Sequence, residues 1–295
     1  MIRALALTLI LSWPGAVCAA SKEASSVKIL EEYYQQALQF YKEGDYRQAI
    51  FKWGEILRVD PEQKTAQTMI LEARKQLALT TKKLRERSMS LVAKGAYQKA
   101  LLDLQALIDL DPSDPNTKSL QNRLEEVVKV AVELPPRDKA SRMAILGLKG
   151  YLALPGDLKL AYNGLRYARE LAPGEENYKK LLELLLFSQP ELAEDTVTPG
   201  MKLLEYKHFV ALHHIYDAKH HLAIVVLNEI LALEPHDLTA LKRLGSAYYS
   251  LGRRDKARDA WVRALKLSPK DKTLKKFMAK LNRKKSISPT PDQNE

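Results

Sequence analysis

The sequence contains a single cysteine, Cys18, among 295 residues. It lies in an N-terminal segment whose removal is predicted below, so the mature chain would hold no disulfide bond and no thiolate metal site. The apolar run 4–13 is far short of the roughly 20 apolar residues that span a bilayer, and no later segment approaches that length without charges, which predicts no transmembrane segment in the mature chain. A content of 46% hydrophobic and 28% charged residues excludes disorder throughout.

Motifs of catalysis are absent as well. The sequence has no Gly-x-Ser-x-Gly elbow, no His-Glu-x-x-His pair and no glycine-rich phosphate loop. We therefore predict no enzymatic activity and no cofactor. Aromatic residues make up 7% of the chain and are not interleaved with its basic residues, a pattern that disfavours nucleic acid as a partner.

The first residues have the form of a secretory signal peptide. Arg3 precedes the apolar run 4–13, and small residues follow at 17–20. We expect cleavage after Ala19, which removes residues 1–19. The sequence thus predicts an exported protein of the periplasm or cell envelope.

Cys18 offers an alternative, because a bacterial lipoprotein is acylated on a cysteine at its cleavage site. Such sites carry a branched apolar residue three positions before the cysteine and a small residue directly before it. Gly15 and Val17 occupy those positions here. The residues therefore favour cleavage after Ala19 over lipoprotein anchoring.

From Ile29 onward, apolar residues recur at three- and four-residue spacing without an alternating strand pattern, which predicts an all-α fold. A proline that ends a helix recurs five times, and the residue twelve positions before each of these prolines is an alanine. An alanine at a helix crossing allows two helices to approach closely. The pairs are Ala49 and Pro61, Ala100 and Pro112, Ala161 and Pro173, Ala223 and Pro235, and Ala257 and Pro269.

Two further positions recur with each alanine. The residue four positions later is bulky and apolar, and the facing position on the preceding helix is small, with Lys149 as the exception in the third unit. The bulky residues are Trp53, Leu104, Leu165, Leu227 and Trp261, and the small ones are Ala37, Ser88, Ala211 and Gly245.

These features resemble the tetratricopeptide repeat, whose period is about 34 residues. Pro235 and Pro269 are 34 residues apart, and the repeat is matched best over 33–61, 84–112 and 241–269. The resemblance implies a solenoid of helical hairpins that acts as a non-catalytic scaffold for protein partners, whose identity the sequence does not give.

Wider spacing between the first prolines predicts inserted helices. Residues 62–94 lack proline and glycine, which predicts one long protruding helix or two nearly continuous ones, and 116–134 predicts an additional helix. Whether 156–173 is the first or the second helix of its hairpin stays open. The predicted organisation is an irregular N-terminal array at 28–187, a loop or hinge at 188–200, a C-terminal repeat pair with a basic capping helix at 201–285, and a disordered tail at 286–295.

The resemblance implies a peptide-binding groove lined by the first helix of each hairpin. The inward positions are mainly apolar and aromatic. They lack the asparagines with which family members clamp a terminal carboxylate, so we do not predict that mode of binding. The candidate groove residues are Tyr34, Leu38, Tyr41, Arg85, Met89, His208, Leu212, Lys242 and Tyr249.

The net charge of +11 is concentrated near the C-terminus, where residues 241–285 hold sixteen Lys or Arg against three acidic residues. A solvated capping helix explains such a patch, and so does docking on an anionic surface of the envelope. The candidate contacts are Arg253, Arg254, Lys256, Arg258, Lys272, Lys275, Lys276, Arg283, Lys284 and Lys285.

Five of the six histidines fall within fourteen residues, which raises a second alternative, a metal- or pH-responsive binder. No acidic residue joins them at ligand-like spacing, and two of them stand where the repeat packs aromatic rings. The pattern therefore favours packing over metal binding. The histidines are His208, His213, His214, His220 and His221.

Overall fold

The structure, a computed structural model, describes residues 15–194 and 200–283, with side chains over 28–193 and 200–281. Its regular elements are helical throughout these ranges, which confirms the predicted all-α fold. The α-helices are α1 (Gly15–Glu43), α2 (Tyr46–Val59), α3 (Lys64–Ala93), α4 (Tyr97–Leu110), α5 (Pro115–Val130), α6 (Lys139–Tyr151), α7 (Leu158–Leu171), α8 (Glu176–Ser188), α9 (Leu203–Tyr216), α10 (His220–Leu233), α11 (Leu238–Ser250), α12 (Arg254–Leu267) and α13 (Lys272–Arg283).

Several predictions concern the chain ends. Of the predicted signal peptide, residues 1–14 lie outside the described residues, and the remainder lies in the backbone of α1. Lys284, Lys285 and the predicted tail 286–295 also lie outside them. Within the described chain, no helix is both long enough and apolar enough to cross a membrane.

Consecutive helices pair as hairpins, namely α1–α2, α3–α4, α6–α7, α9–α10 and α11–α12. The alanine predicted at each crossing is fully buried in all five, and the bulky residue four positions later is at most 2% exposed. The repeat therefore marks real contacts. The additional helix predicted at 116–134 is α5, and α7 is the second helix of its hairpin, which answers the question left open for 156–173.

Four of the five hairpins turn through a residue in the left-handed conformation. Gly44, Gly95 and Gly252 have φ of +83°, +75° and +73°, and the α9–α10 turn uses Ala218 with φ of 57°. In each turn the amide of this residue donates to the carbonyl three positions earlier, which terminates the first helix. Gly95 is constrained further, since a Cβ there would lie 2.0 Å from the carbonyl oxygen of Leu134.

The α6–α7 crossing differs from the sequence prediction. Lys149 was expected to face Ala161, but Lys149 is exposed and the contact is made by Gly147 and Gly150. A Cβ at Gly150 would lie 2.9 Å from the amide nitrogen of Ala161. The assignment of Lys149 was wrong because glycines on both helices bring this hairpin closer than the spacing alone suggested.

The chain divides into two compact units, one of residues up to 86 with 106–112, the other of 87–105 with residues from 113 onward. In the first unit, Trp53 and Ile56 of α2 are buried against α1 and the start of α3. In the second unit, one cluster joins α9 to α13 around Leu227 and Trp261. Each unit thus has its own hydrophobic core.

The long helix predicted at 62–94 is a single helix, α3, of 30 residues. Near the start of α3, the last buried side chain is that of Ala73, and burial resumes at Ser88. The hydroxyl of Ser88 donates to the carbonyl of Ala100 at 3.1 Å. Between those two residues, all described, no side chain of α3 is buried. Four turns of helix therefore lie mainly in solvent.

The predicted hinge at 188–200 connects α8 to α9, and α9 and α10 are also bonded to α7. A short 3-10 helix occupies Pro190–Glu194, and residues 195–199 lie outside the described chain. The hydroxyl of Tyr167 donates to Glu234 at 2.7 Å, and the amide of Leu203 donates to the Glu170 carboxylate at 3.0 and 3.1 Å. These bonds fix α7 against α9 and α10. The proposed domain boundaries remain a prediction.

Candidate functional site

The predicted groove residues of the first unit are partly engaged in its core. Tyr34, Leu38 and Tyr41 are half-buried and pack against the cluster around Trp53. The Tyr41 ring lies 5.8 Å from the Trp53 ring. Arg85, in contrast, is exposed on the middle of α3. The aromatic groove candidates thus present only one side to solvent.

In the second unit, Met89 and Leu212 are half-buried, and His208 has contacts within the chain. His208 Nε2 lies 2.9 Å from a carboxylate oxygen of Asp237, which also caps the N-terminus of α11. Arg243 donates to the carbonyl of His208 at 3.0 Å. His208 therefore serves the α9–α11 contact in this structure.

The last two groove candidates are in contact with α13. Lys242 forms an ion pair with Asp271, and Lys280 lies 5.4 Å from the centre of the Tyr249 ring. The hydrogen bond from Lys242, followed by that from the amide of Leu274, holds the pKa of Asp271 below its usual range. The capping helix thus occupies part of the surface at this end of the predicted groove.

The predicted basic residues separate into two groups. Arg253, Arg254, Lys256 and Arg258 line one cavity of about 510 Å³ at the α11–α12 turn, together with Gly252, Asp255 and Leu281. Lys272, Lys275 and Lys276 are exposed on α13. Arg283 ends α13, and its side chain lies outside the described ones.

The histidines show separate local environments. His213 Nδ1 lies 2.9 Å from the carbonyl of Phe209, and the two rings are 4.0 Å apart. His214 and His220 are half-buried, and His221 is exposed. Among the described residues, no group of three or more His, Cys, Asp or Glu is arranged to hold a metal ion.

A family match falls on the most regular hairpin. Residues 239–271, which cover α11, α12 and the turn into α13, match the model described as "Tetratricopeptide repeat". This stretch of the chain is similar to one tetratricopeptide repeat. The match includes the left-handed Gly252 and the buried Ala257, on which the sequence resemblance was based.

Solved structures resemble this chain only loosely. The crystal structure of MamA protein is 15% identical, covering 90% of this chain and 99% of that one, with a TM-score of 0.22. The TPR2AB domain of yeast Sti1 in a pHSP90 complex is 14% identical, covering 87% and 84%, with a TM-score of 0.28. The P58(IPK) TPR domain is 14% identical, covering 88% and 99%, with a TM-score of 0.29. No curated protein matches the chain.

Sequence reasoning missed one feature of this chain, a polar group buried between hairpins. Asn163 of α7 is 2% exposed and donates to Glu229 of α10. Glu229 also accepts from Lys207, which is 4% exposed. Since the three residues are up to 66 positions apart and belong to no motif, no local pattern could have found them.

Proposed function

We propose that this protein is a non-catalytic scaffold, exported to the periplasm or cell envelope, that binds partner proteins through the middle of α3. The observation that carries the proposal is the stretch 74–87, described throughout, in which no side chain is buried. A helix in a globular protein takes most of its stability from packing one face. Four turns without such packing are therefore a surface suited to a partner.

Apolar side chains on this helix support the same surface. Leu71 and Leu79 are 66% and 44% exposed. The same helix carries a shallow cavity of about 410 Å³, lined by the residues Ala78, Thr81, Lys82, Arg85 and Glu86. Exposed apolar side chains and a concave site are both typical of protein interaction surfaces.

The charge of the stretch indicates the chemistry of the partner. Residues 74–87 hold six Lys or Arg and one acidic residue, Glu86. A complementary partner would present an apolar stripe bordered by Asp and Glu. Such charges raise the association rate and specificity, while the leucines supply most of the affinity.

Photo-crosslinking from defined positions tests the α3 surface. A photoreactive residue placed at position 79 should capture a partner in cells, whereas one at position 102, on α4, should not. Leu102 is the matched control because it is 63% exposed.

Affinity measurements on the captured partner complete the test. The purified partner should bind the wild type and Leu102→Asp equally, and Leu79→Asp at least tenfold more weakly, about 1.4 kcal/mol. Equal affinity for all three proteins would contradict the α3 surface.

Export is proposed from the N-terminal residues and needs its own test. Mass spectrometry of the protein from the periplasmic fraction should find a mature chain beginning at Ala20. An intact N-terminus in the cytosolic fraction would contradict export, and a lipid-modified Cys18 would establish the lipoprotein alternative.

Docking on an anionic membrane surface is a second candidate, favoured by the four basic side chains that line the cavity at the α11–α12 turn. Vesicles with phosphatidylglycerol should bind the protein at low salt and release it in about 0.5 M salt, because screening shortens the range of exposed charges. Lys256→Glu should weaken this binding more than Lys275→Glu, since only Lys256 lines the cavity. Vesicle binding that persists in about 0.5 M salt, or that is unchanged in Lys256→Glu, would contradict docking through this cavity.

A further inference from the structure

A cavity of about 330 Å³ lies between α7 and α10, the second helices of two successive hairpins. This size is at the lower end of small-molecule sites, which measure ~300–1,000 Å³. Its apolar wall includes Leu160, Val225 and Ala232, and Val225 is 55% exposed. The remaining lining residues are Asp157, Lys159, Asn163, Asn228 and Glu229.

Asn163 gives the cavity a specific hydrogen-bonding requirement. Its Nδ2 donates to Glu229 Oε2 at 3.3 Å, and the Oδ1 has no hydrogen-bond partner among the described residues. The reverse amide orientation would place Oδ1 against the Glu229 carboxylate, so Oδ1 is the unpaired atom. A buried acceptor without a donor is unfavourable, and native proteins rarely leave one unpaired.

Both carboxylates near this acceptor already have partners within the chain. Lys207, which is 4% exposed, pairs with Glu229. Asp157 caps α7 by accepting from the amide of Leu160 at 2.9 Å. The unmet need at this site is therefore a neutral donor rather than a cation.

We propose that the α7–α10 cavity binds the indole side chain of a tryptophan from a partner protein. An indole combines a large apolar body with one N–H donor and no acceptor, which matches an apolar wall and one unpaired acceptor. Tryptophan is also among the residues that anchor protein interfaces most often.

The inference rests on the proposed function in one respect, that the partner is a protein. The surface differs from the middle of α3, and the test below uses a small molecule in place of the partner. Failure of indole binding would leave the α3 crosslinks unaffected, and failure of the crosslinks would leave the indole result standing.

Titration of the full chain with indole and with 1-methylindole tests the donor requirement. The two probes have nearly the same shape, but 1-methylindole has no N–H. Indole should bind at least fivefold more tightly and should shift the side-chain amide resonance of Asn163. Equal affinity for both probes, or stronger binding of butylammonium than of indole, would overturn the proposal.

Variants locate the site. Asn163→Leu should remove the preference for indole over 1-methylindole, since it keeps the size of the side chain and removes the acceptor. Val225→Glu changes an exposed wall residue, so it should fold normally and weaken both probes at least tenfold. Leu222→Glu is its matched control, because Leu222 lies on α10 outside the lining and is 39% exposed. A preference for indole that survives Asn163→Leu, or equal effects of the two glutamate variants, would also overturn it.

Discussion

The hairpins α6–α7 and α11–α12 share the alanine-to-proline spacing but close their helix crossings in different ways. In α6–α7, backbones meet directly, since a Cβ at Gly164 would lie 2.6 Å from the Cα of Gly147. In α11–α12, Gly245 leaves room for the indole of Trp261, which would lie 2.2 Å from a Cβ there. The Trp261 Nε1 donates to the carbonyl of Lys242 at 3.2 Å.

The two crossings depend on different neighbours. Trp261 stacks on Phe277 of α13 with ring centres 5.0 Å apart and lies 5.8 Å from Tyr249, so this hairpin is completed by the capping helix. The α6–α7 crossing is closed by its own two backbones. The repeat spacing therefore determines where helices cross, and the residues at the crossing determine what fills it.

Gly164→Ala should have the largest effect. Its Cβ would meet backbone atoms of Gly147 and Met143 at 2.6 to 2.8 Å, and backbone cannot move aside as a side chain can. We expect a loss of about 3 kcal/mol of unfolding free energy, measured by urea titration with far-ultraviolet circular dichroism.

Gly54→Ala is the matched control for that variant. Gly54 also lies within a helix, and a Cβ there meets nothing within 4 Å. Its substitution should stabilise by up to about 1 kcal/mol because alanine is the better helix former. If both substitutions stabilised the protein, the close crossing of α6 and α7 would be disproved.

Gly245→Ala should cost about 2 kcal/mol, since here the obstacle is an indole that can shift only by losing packing. Trp261→Leu should cost about as much on its own. Leucine is the residue found at the equivalent position of α7, Leu165. In the double variant, which carries both substitutions, the methyl group of Ala at position 245 should fit beside the leucine. Its loss of unfolding free energy should therefore be at least about 1 kcal/mol smaller than the sum of the losses in the two single variants. Additive losses would show that the two residues do not share one space.

Much of this fold could be predicted from residue patterns. The alanines, the bulky residues after them, the glycine turns and the single long helix follow from local spacing and from the breaking effects of proline and glycine. The crossing at Gly147 could not be predicted, because the repeat count pointed to Lys149. Glycines at other positions of the two helices make the contact instead. They change the distance between the helices, but they leave the alanine-to-proline spacing along the chain unchanged.

The candidate sites were less predictable than the fold. The sequence indicated a basic C-terminal region, but it did not show that four of those residues line a cavity while three others lie on α13. It also gave no sign that α13 covers Lys242 and Tyr249. Which residues meet at a surface depends on tertiary packing. A repeat pattern predicts only the contacts that recur in every hairpin, and these contacts do not recur.

The turns extend the comparison to a third hairpin. Ala218 of α9–α10 has φ of 57°, whereas the corresponding Gly252 of α11–α12 has φ of +73°. A left-handed conformation is unfavourable for alanine by about 1 kcal/mol, and glycine adopts it freely. Ala218→Gly should therefore stabilise by up to about 1 kcal/mol, and Gly252→Ala should destabilise by a similar amount. Changes of the same sign in urea titrations would contradict this account of the turns.

The smallest expected effect concerns how α13 is attached to α11. The pKa of Asp271 is lowered by the hydrogen bond from Lys242, so the ionised form is favoured in the folded protein. The stability it contributes should be complete above the unfolded value of about 4 and be lost as the pH falls through the lower folded value. Asp271→Asn keeps a capping side chain and removes the charge. Its free energy of unfolding should therefore be lower than that of the wild type at pH 7, and the difference should vanish in acid.

Lys242→Gln removes the other partner of the same ion pair, so its loss of unfolding free energy should depend on pH in the same way. Lys276 is an exposed lysine on α13, and Lys276→Gln should cause no pH-dependent loss. Urea titrations between pH 7 and pH 2 would measure these differences. A deficit that persists unchanged in acid would mean that Asp271 acts only as a helix cap. The attachment of α13 would then depend on the aromatic contact of Phe277 with Trp261 of α12, and the crossing in α11–α12 would be completed by ring packing, whereas that in α6–α7 is closed by direct contact between backbones.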